Sequence, residues 1–170
     1  PASYEQLLSL PGIGEYTAGA IASIAYGIPV PAVDGNVLRV LARLLAYDGD
    51  ILSNVVKRHF RVLLQNMIPQ QRAGDFNQAL MELGATVCLP NGMPRCADCP
   101  LQAICRANAE GTVLAFPVKK VKNARRIEDR TVFLLYQGDK IAIHKREAKG
   151  LLAGLWEFPN ITGLVEGQEI

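Results

Sequence analysis

Four cysteines fall within eighteen consecutive positions, Cys88 to Cys105, and the other 152 residues contain none. That crowding constrains the fold more than any other feature. Disulfide scaffolds spread their cysteines so that distant loops are stapled together. Thiols bunched in one loop instead gather around a metal. The spacing Cys88-x7-Cys96-x2-Cys99-x5-Cys105 suits either a tetrahedral zinc or a [4Fe–4S] cluster. A zinc ribbon uses two Cys-x2-Cys knuckles and this chain has one, so spacing alone leaves both metals open.

A loop of this kind needs a folded body to carry it, and the composition supplies one. Apolar residues make up 49% and charged residues 20%, which excludes global disorder. The net charge of +2 is too small to argue for nucleic acid by itself. It is, however, unevenly placed. Lys119, Lys120, Lys122, Arg125, Arg126 and Arg130 face only Glu128 and Asp129 within 111–130, so the rest of the chain is slightly acidic. That stretch reads as a basic linker, either a solvated tether or a strap near phosphates. No run approaches the roughly 20 apolar residues of a membrane span, and no signal peptide opens the chain. Beginning at Pro1 without Met, the sequence reads as an internal piece of something longer, with a cytoplasmic setting expected, nucleoid-associated if bacterial.

Residues 1–110 carry helical periodicity. Short helices are predicted at Tyr4–Leu8 and Glu15–Tyr26, and a third over 36–47 with Val37, Val40, Leu41, Leu44 and Leu45 on its inner face. Ser53 is placed to cap a helix ending at Met67 before Pro69. Asp75 is placed to cap another, with Phe76, Ala79, Leu80, Leu83 and Val87 inward. From Thr131 the pattern turns to strands, Thr131–Tyr136 and Lys140–Lys145 around Gln137-Gly138-Asp139, then Leu155–Phe158 with Trp156 in a core. His59 and His144 show no partner pattern.

Between the first two helices lies Leu10-Pro11-Gly12-Ile13-Gly14-Glu15-Tyr16-Thr17. Paired glycines permit a tight turn and a close backbone approach, and the following helix offers unpaired amides to an anion. Further on, Val33-Asp34-Gly35-Asn36-Val37 puts Asp34 where a helix N-cap belongs.

Taken together these strings resemble the helix–hairpin–helix DNA glycosylases. The resemblance implies that Gly12, Ile13, Gly14 and Thr17 bind the DNA backbone, with a monovalent cation at the hairpin. It implies that Asp34 is the catalytic aspartate, with Asn36 bonded near it and Tyr16 beside it. The endonuclease III-like branch carries a lysine (Gly-x-Lys-Thr) where this chain has Tyr16, and a phenol cannot form a Schiff base. The cysteine string is similar to that superfamily's Cys-x6-Cys-x2-Cys-x5-Cys loop, one residue longer in its first gap. It thereby implies a [4Fe–4S] cluster on Cys88, Cys96, Cys99 and Cys105.

Lys149-Gly150-Leu151-Leu152-Ala153-Gly154-Leu155-Trp156-Glu157-Phe158-Pro159 is similar to the early part of the Nudix-like domain of the adenine-specific branch. The implied fold is mainly α. A partial helix–hairpin–helix glycosylase domain over 1–110, with the iron–sulfur loop at 88–105, precedes a linker over 111–130 and a truncated Nudix-like α/β module over 131–170. The implied function is monofunctional hydrolysis of the N-glycosidic bond of adenine mispaired with 8-oxoguanine or guanine in double-stranded DNA, in base-excision repair. No membrane and no obligate protein partner are expected. The family's general acid falls outside these residues, so this piece alone is expected to be inactive. Two alternatives stand beside it: an endonuclease III-type glycosylase/lyase, and a non-catalytic iron–sulfur DNA-binding module.

Overall fold

The computed structural model describes residues 2–120 and 127–165. The chain divides into two compact units, Pro1–Val121 and Lys122–Ile170, each described by itself. Of the linker's basic residues, Lys122, Arg125 and Arg126 lie outside the described residues.

The first unit contains α1 (Tyr4–Leu8), α2 (Glu15–Tyr26), α3 (Gly35–Leu44), α4 (Asn54–Met67), α5 (Ala73–Thr86) and α6 (Arg106–Ala109). Short polar side chains start them. The Ser3 hydroxyl accepts from the Gln6 amide, the Asp34 carboxylate from Val37, and the Ser53 hydroxyl from Val55. Each satisfies an amide that the first helical turn leaves without a partner, worth about 1 kcal/mol. Gly27, in the left-handed region at φ 66°, closes α2.

Helix α3 is the axle of this unit, packed against α4, α5 and α6. The apolar face expected for it is only half of what it buries. Every residue from Val37 to Arg43 is buried, whereas Leu44 and Leu45 are partly covered. The face carrying Arg39 and Arg43, which periodicity assigns to solvent, is covered by the cysteine loop. Val37, Leu38, Leu41 and Ala42 join Ile51, Val56, Phe60 and Leu64 in the main core, while Leu7, Ala18 and Ala22 form a smaller one.

Three details of the helical unit depart from expectation. Helix α5 starts at Ala73, so Asp75 lies inside its first turn, favourable there to the helix dipole, and meets Arg72 at 2.7 Å rather than capping. Its buried residues are Ala73, Asn77 and Gly84, and Ala79 is exposed. Asn77 turns inward because its amide is fully used: it donates to the Ser23 hydroxyl and the Val30 carbonyl and accepts from Ala32. Finally, the stretch after residue 110 does not leave the unit as a free tether. A 3-10 turn at Val113–Ala115 gives its Val113 carbonyl to Arg43, and the Val118 carbonyl accepts from the Ile51 amide.

The second unit is three antiparallel strand pairs: β1 (Arg130–Val132) with β6 (Asn160–Thr162), β2 (Tyr136–Gln137) with β3 (Lys140–Ile141), and β4 (His144–Lys145) with β5 (Trp156–Glu157). The two long strands expected here are thus each interrupted. Hydrogen bonds from Phe133 to Pro159 and from Ala142 to Leu135 continue the pairing across the breaks in irregular form. Gly138, at φ 57°, and Asp139 make the two-residue turn between β2 and β3. Trp156 stands opposite Lys145 and is 64% exposed, so it is not in a core within these residues. The Glu157 carboxylate accepts from Arg146 and faces His144.

Candidate active site and four-cysteine loop

The hairpin forms as its glycines suggest. Gly12 sits in the left-handed region at φ 81°, where a side chain is strained. Ile13 returns its side chain to the small core formed by Leu7, Ala18 and Ala22, and its amide donates to the Leu10 carbonyl. Gly14 is the N-cap of α2 without any side-chain cap bond, which leaves the first amides of the helix free for an external acceptor. Its φ of −91° is open to any residue, and a Cβ there would meet nothing within 4 Å. Neither conformation nor internal packing accounts for glycine at this position.

Beside the hairpin lies a cleft of about 340 Å³. It is lined by Glu15 and Tyr16 of α2, by Val33, Asp34, Gly35 and Leu38, and by Leu52, Lys57 and Arg61 around α4. The structure therefore brings Tyr16 and Asp34 to one concavity from opposite elements. The Tyr16 hydroxyl donates to the Met81 sulfur at 3.6 Å rather than to Asp34. Arg61 steadies the wall, paired with Glu15 at 2.8 Å, donating to the Tyr4 hydroxyl and lying over the Tyr4 ring. Thr17, in the first turn of α2, does not line the cleft.

Asp34 does two jobs at once. One carboxylate oxygen accepts from the Val37 amide at 2.7 Å and the other from the Asn36 side-chain amide at 2.9 Å. A carboxylate has about four acceptor positions, so two remain for the cleft. Asn36 is itself held, because its carbonyl oxygen accepts from Arg39 at 2.9 Å. Arg39 also donates to the Gly84 carbonyl at 2.7 Å and to the Cys88 carbonyl at 2.8 Å. Burial pulls its guanidinium pKa below the ordinary value, although Cys88 and Asp34 act the other way and Arg43 adds to the lowering. A buried charge is tolerable only when hydrogen-bonded in this manner.

The four cysteines line one cavity, together with Arg43, Val87, Pro94, Arg95, Gln102, Asn108 and Val113. All four are partly buried and none is in a disulfide. Short 3-10 turns at Cys96–Asp98 and Gln102–Ile104 curl the loop around this cavity. Burial pushes the Cys96 thiol pKa up, and the nearness of Cys105, Cys88 and Cys99 adds to it. Among the described residues no group of three or more His, Cys, Asp or Glu is arranged to hold a metal ion as it stands.

The burial of Arg39 and Arg43 is not announced by the sequence: spaced four residues apart opposite an apolar stripe, they match the solvated face of an amphipathic helix, and only the cysteine loop packed over them reverses that. Among the described residues no helix is long and apolar enough to cross a membrane.

A solvent-facing hairpin, a carboxylate fixed at the head of the following helix and a cysteine loop packed on that helix define a protein of the helix–hairpin–helix class. The helix-hairpin-helix motif model matches residues 1–24. The chain is 42% identical to an adenine DNA glycosylase of Arabidopsis thaliana over 95% of its length, covering 28% of that protein. It is 39% identical to an adenine DNA glycosylase of Homo sapiens over 90% of its length, covering 36% of it. Among solved structures, a thermostable thymine-DNA glycosylase superposes with a TM-score of 0.57 at 30% identity, over 65% of this chain and 50% of that one. The chain is thus similar to adenine DNA glycosylases and spans about a third of the length of these curated relatives.

Proposed function

We propose that these residues supply the catalytic aspartate and the DNA-backbone clamp of a monofunctional glycosylase. It would release adenine mispaired with 8-oxoguanine or guanine in double-stranded DNA, the first step of base-excision repair. The observation that carries this reading is Asp34, fixed by two donated bonds yet open to a cleft that also receives Tyr16 from the hairpin helix. The cleft volume lies within the roughly 300–1,000 Å³ that encloses small ligands.

The chemistry follows from the carboxylate. An adenine flipped from the stack presents its C1′–N9 bond at the cleft. The bond breaks with its electron pair passing to the base, which takes up a proton, while positive charge develops on the deoxyribose. Asp34 faces that charge through its free acceptor positions and orients the water that adds to C1′ with loss of a proton. Tyr16 has no amine to form a Schiff base, so the strand stays intact. The free amides at the start of α2 hold a backbone phosphate, with a monovalent cation belonging to the same proposal, and position the duplex without reading its sequence.

We assign Cys88, Cys96, Cys99 and Cys105 as ligands of a [4Fe–4S] cluster. Four thiols around one shared cavity are the donor set such a group needs. The cluster would fix the loop and add a one-electron redox centre. Residues 131–170 are read as the beginning of a Nudix-like module that recognises the 8-oxoguanine.

The test is adenine release from an A·8-oxoG duplex by a chain of the relatives' full length carrying these residues, before and after Asp34→Asn. Loss of release with retained duplex binding is the expected result. Binding without release in the unsubstituted protein would leave a non-catalytic DNA-binding module. Borohydride trapping of a covalent DNA adduct would instead indicate a lyase. Iron and sulfide content, with absorption near roughly 400 nm, tests the cluster; colourless protein with bound zinc would contradict it.

A further inference from the structure

Arg43 holds a position that the chemistry at Asp34 does not use. It is 4% exposed, on the third turn of α3, and its guanidinium meets only acceptors from the cysteine loop and the segment after it. Nη1 donates to the Cys88 sulfur at 3.3 Å and to the Leu89 carbonyl at 2.8 Å. Nε donates to the carbonyls of Val113 and Phe116, both at 3.0 Å. The Arg43 backbone carbonyl in turn accepts from the Cys105 thiol at 3.5 Å. Among the hydrogen bonds described, no other charged donor reaches a cysteine sulfur.

We propose that Arg43 is a positioning residue that sets the reduction potential of the group held by the four cysteines, through its charge-assisted hydrogen bond to the Cys88 sulfur. This rests on the iron–sulfur reading above.

Adding an electron to a thiolate-ligated cluster increases negative charge on its sulfurs. A buried cation donating to one of those sulfurs stabilises the reduced form more than the oxidised form, and hydrogen bonds to the sulfurs are among the main determinants of cluster potential. Burial strengthens the effect because little water screens it. Arg39 provides an internal comparison. It is an equally buried arginine one turn away that reaches the Cys88 carbonyl oxygen instead of the sulfur. Arg39 therefore fixes the ligand's backbone, whereas Arg43 touches the ligating atom.

The experiment is voltammetry of the cluster-loaded chain, with iron and sulfide first counted in the unsubstituted protein. Absence of iron there contradicts the cluster reading itself and is distinguishable from every outcome below. In Arg43→Gln the oxidised-to-reduced ratio at a fixed potential is expected to rise about tenfold, equal to a potential more negative by about 59 mV for one electron. Arg43→Lys, which keeps the charge with fewer donors, should shift in the same direction by less. Arg39→Gln, which removes a buried charge near Cys88 but no bond to its sulfur, should shift the potential less than Arg43→Gln. An unchanged potential in both Arg43 variants, or an equal shift in Arg39→Gln, overturns the proposal. A readout on the unsubstituted chain covers the case in which a variant fails to hold iron. Exchange into deuterium oxide should shift the iron–thiolate stretching bands, and no shift removes the hydrogen bond on which the inference stands.

Discussion

A Cβ placed on Gly84 would lie 2.6 Å from the Cβ of Asn36 and 3.1 Å from its Cα. Helix α5 thus presses onto the first turn of α3 directly under the residue that donates to Asp34. Real Cβ atoms do not approach this closely, so either α5 or Asn36 must move when the glycine is replaced. Gly84→Ala is expected to lower stability by about 1–3 kcal/mol, the usual range for an overpacked contact. In a chain of the relatives' full length, the proposed adenine release should fall further than the lost stability explains, because Asn36 is displaced. Denaturant titration and single-turnover base release on the same preparation separate the two.

The hairpin glycines should behave oppositely. Gly12→Ala forces a side chain into φ 81° and should cost about 1–2 kcal/mol of stability. Gly14→Asn keeps a good N-cap at a φ any residue adopts, so stability should hold within about 0.5 kcal/mol. If the proposed hairpin contact holds, its added side chain stands in the way of the duplex, and affinity for DNA should drop at least tenfold by fluorescence anisotropy. Unchanged affinity in Gly14→Asn would remove the hairpin from the DNA interface.

Asp34 carries a structural and a chemical role, and the two can be separated. Asp34→Asn still accepts from Val37, so α3 should lose no more than about 1 kcal/mol. Base release should fall by at least about a hundredfold, the scale of losing electrostatic stabilisation at the reacting centre. Asp34→Ala removes both and should lower the melting temperature as well.

The raised Cys96 pKa makes the metal-free chain pH-sensitive. Folding favours the neutral thiol here, and unfolding lets it ionise at an ordinary value near about 8.5. Its contribution is fully present below that value and is lost as pH rises through the raised folded pKa. Thermal unfolding under chelator should therefore show declining stability at alkaline pH, and Cys96→Ser should flatten that decline.

Much of the helical unit was legible because its signals are local. Ser53 caps α4 and α2 spans Glu15–Tyr26, both as local pattern alone predicts. What stayed hidden depends on partners distant in sequence. Periodicity assigns Arg39 and Arg43 to water, but carbonyls from residues 84–116 reach them there. Asn77 reads as polar surface until Ser23, Val30 and Ala32 complete its bonds. The basic linker hid the packed stretch at 113–118 for the same reason, since nothing local announces that Arg43 needs its carbonyls.

Those carbonyls tie the assembly of the unit to its cysteine loop. Until residues 84–116 dock, α3 carries Arg43 into the interior without acceptors and Arg39 with only Asn36 to meet it, so the helix cannot seat fully in its core. Loop closure and core closure then form one cooperative event rather than a domain with an appendage. A lesion confined to the loop would therefore reach cellular proteases as an unfolded chain, whatever chemistry the cleft performs.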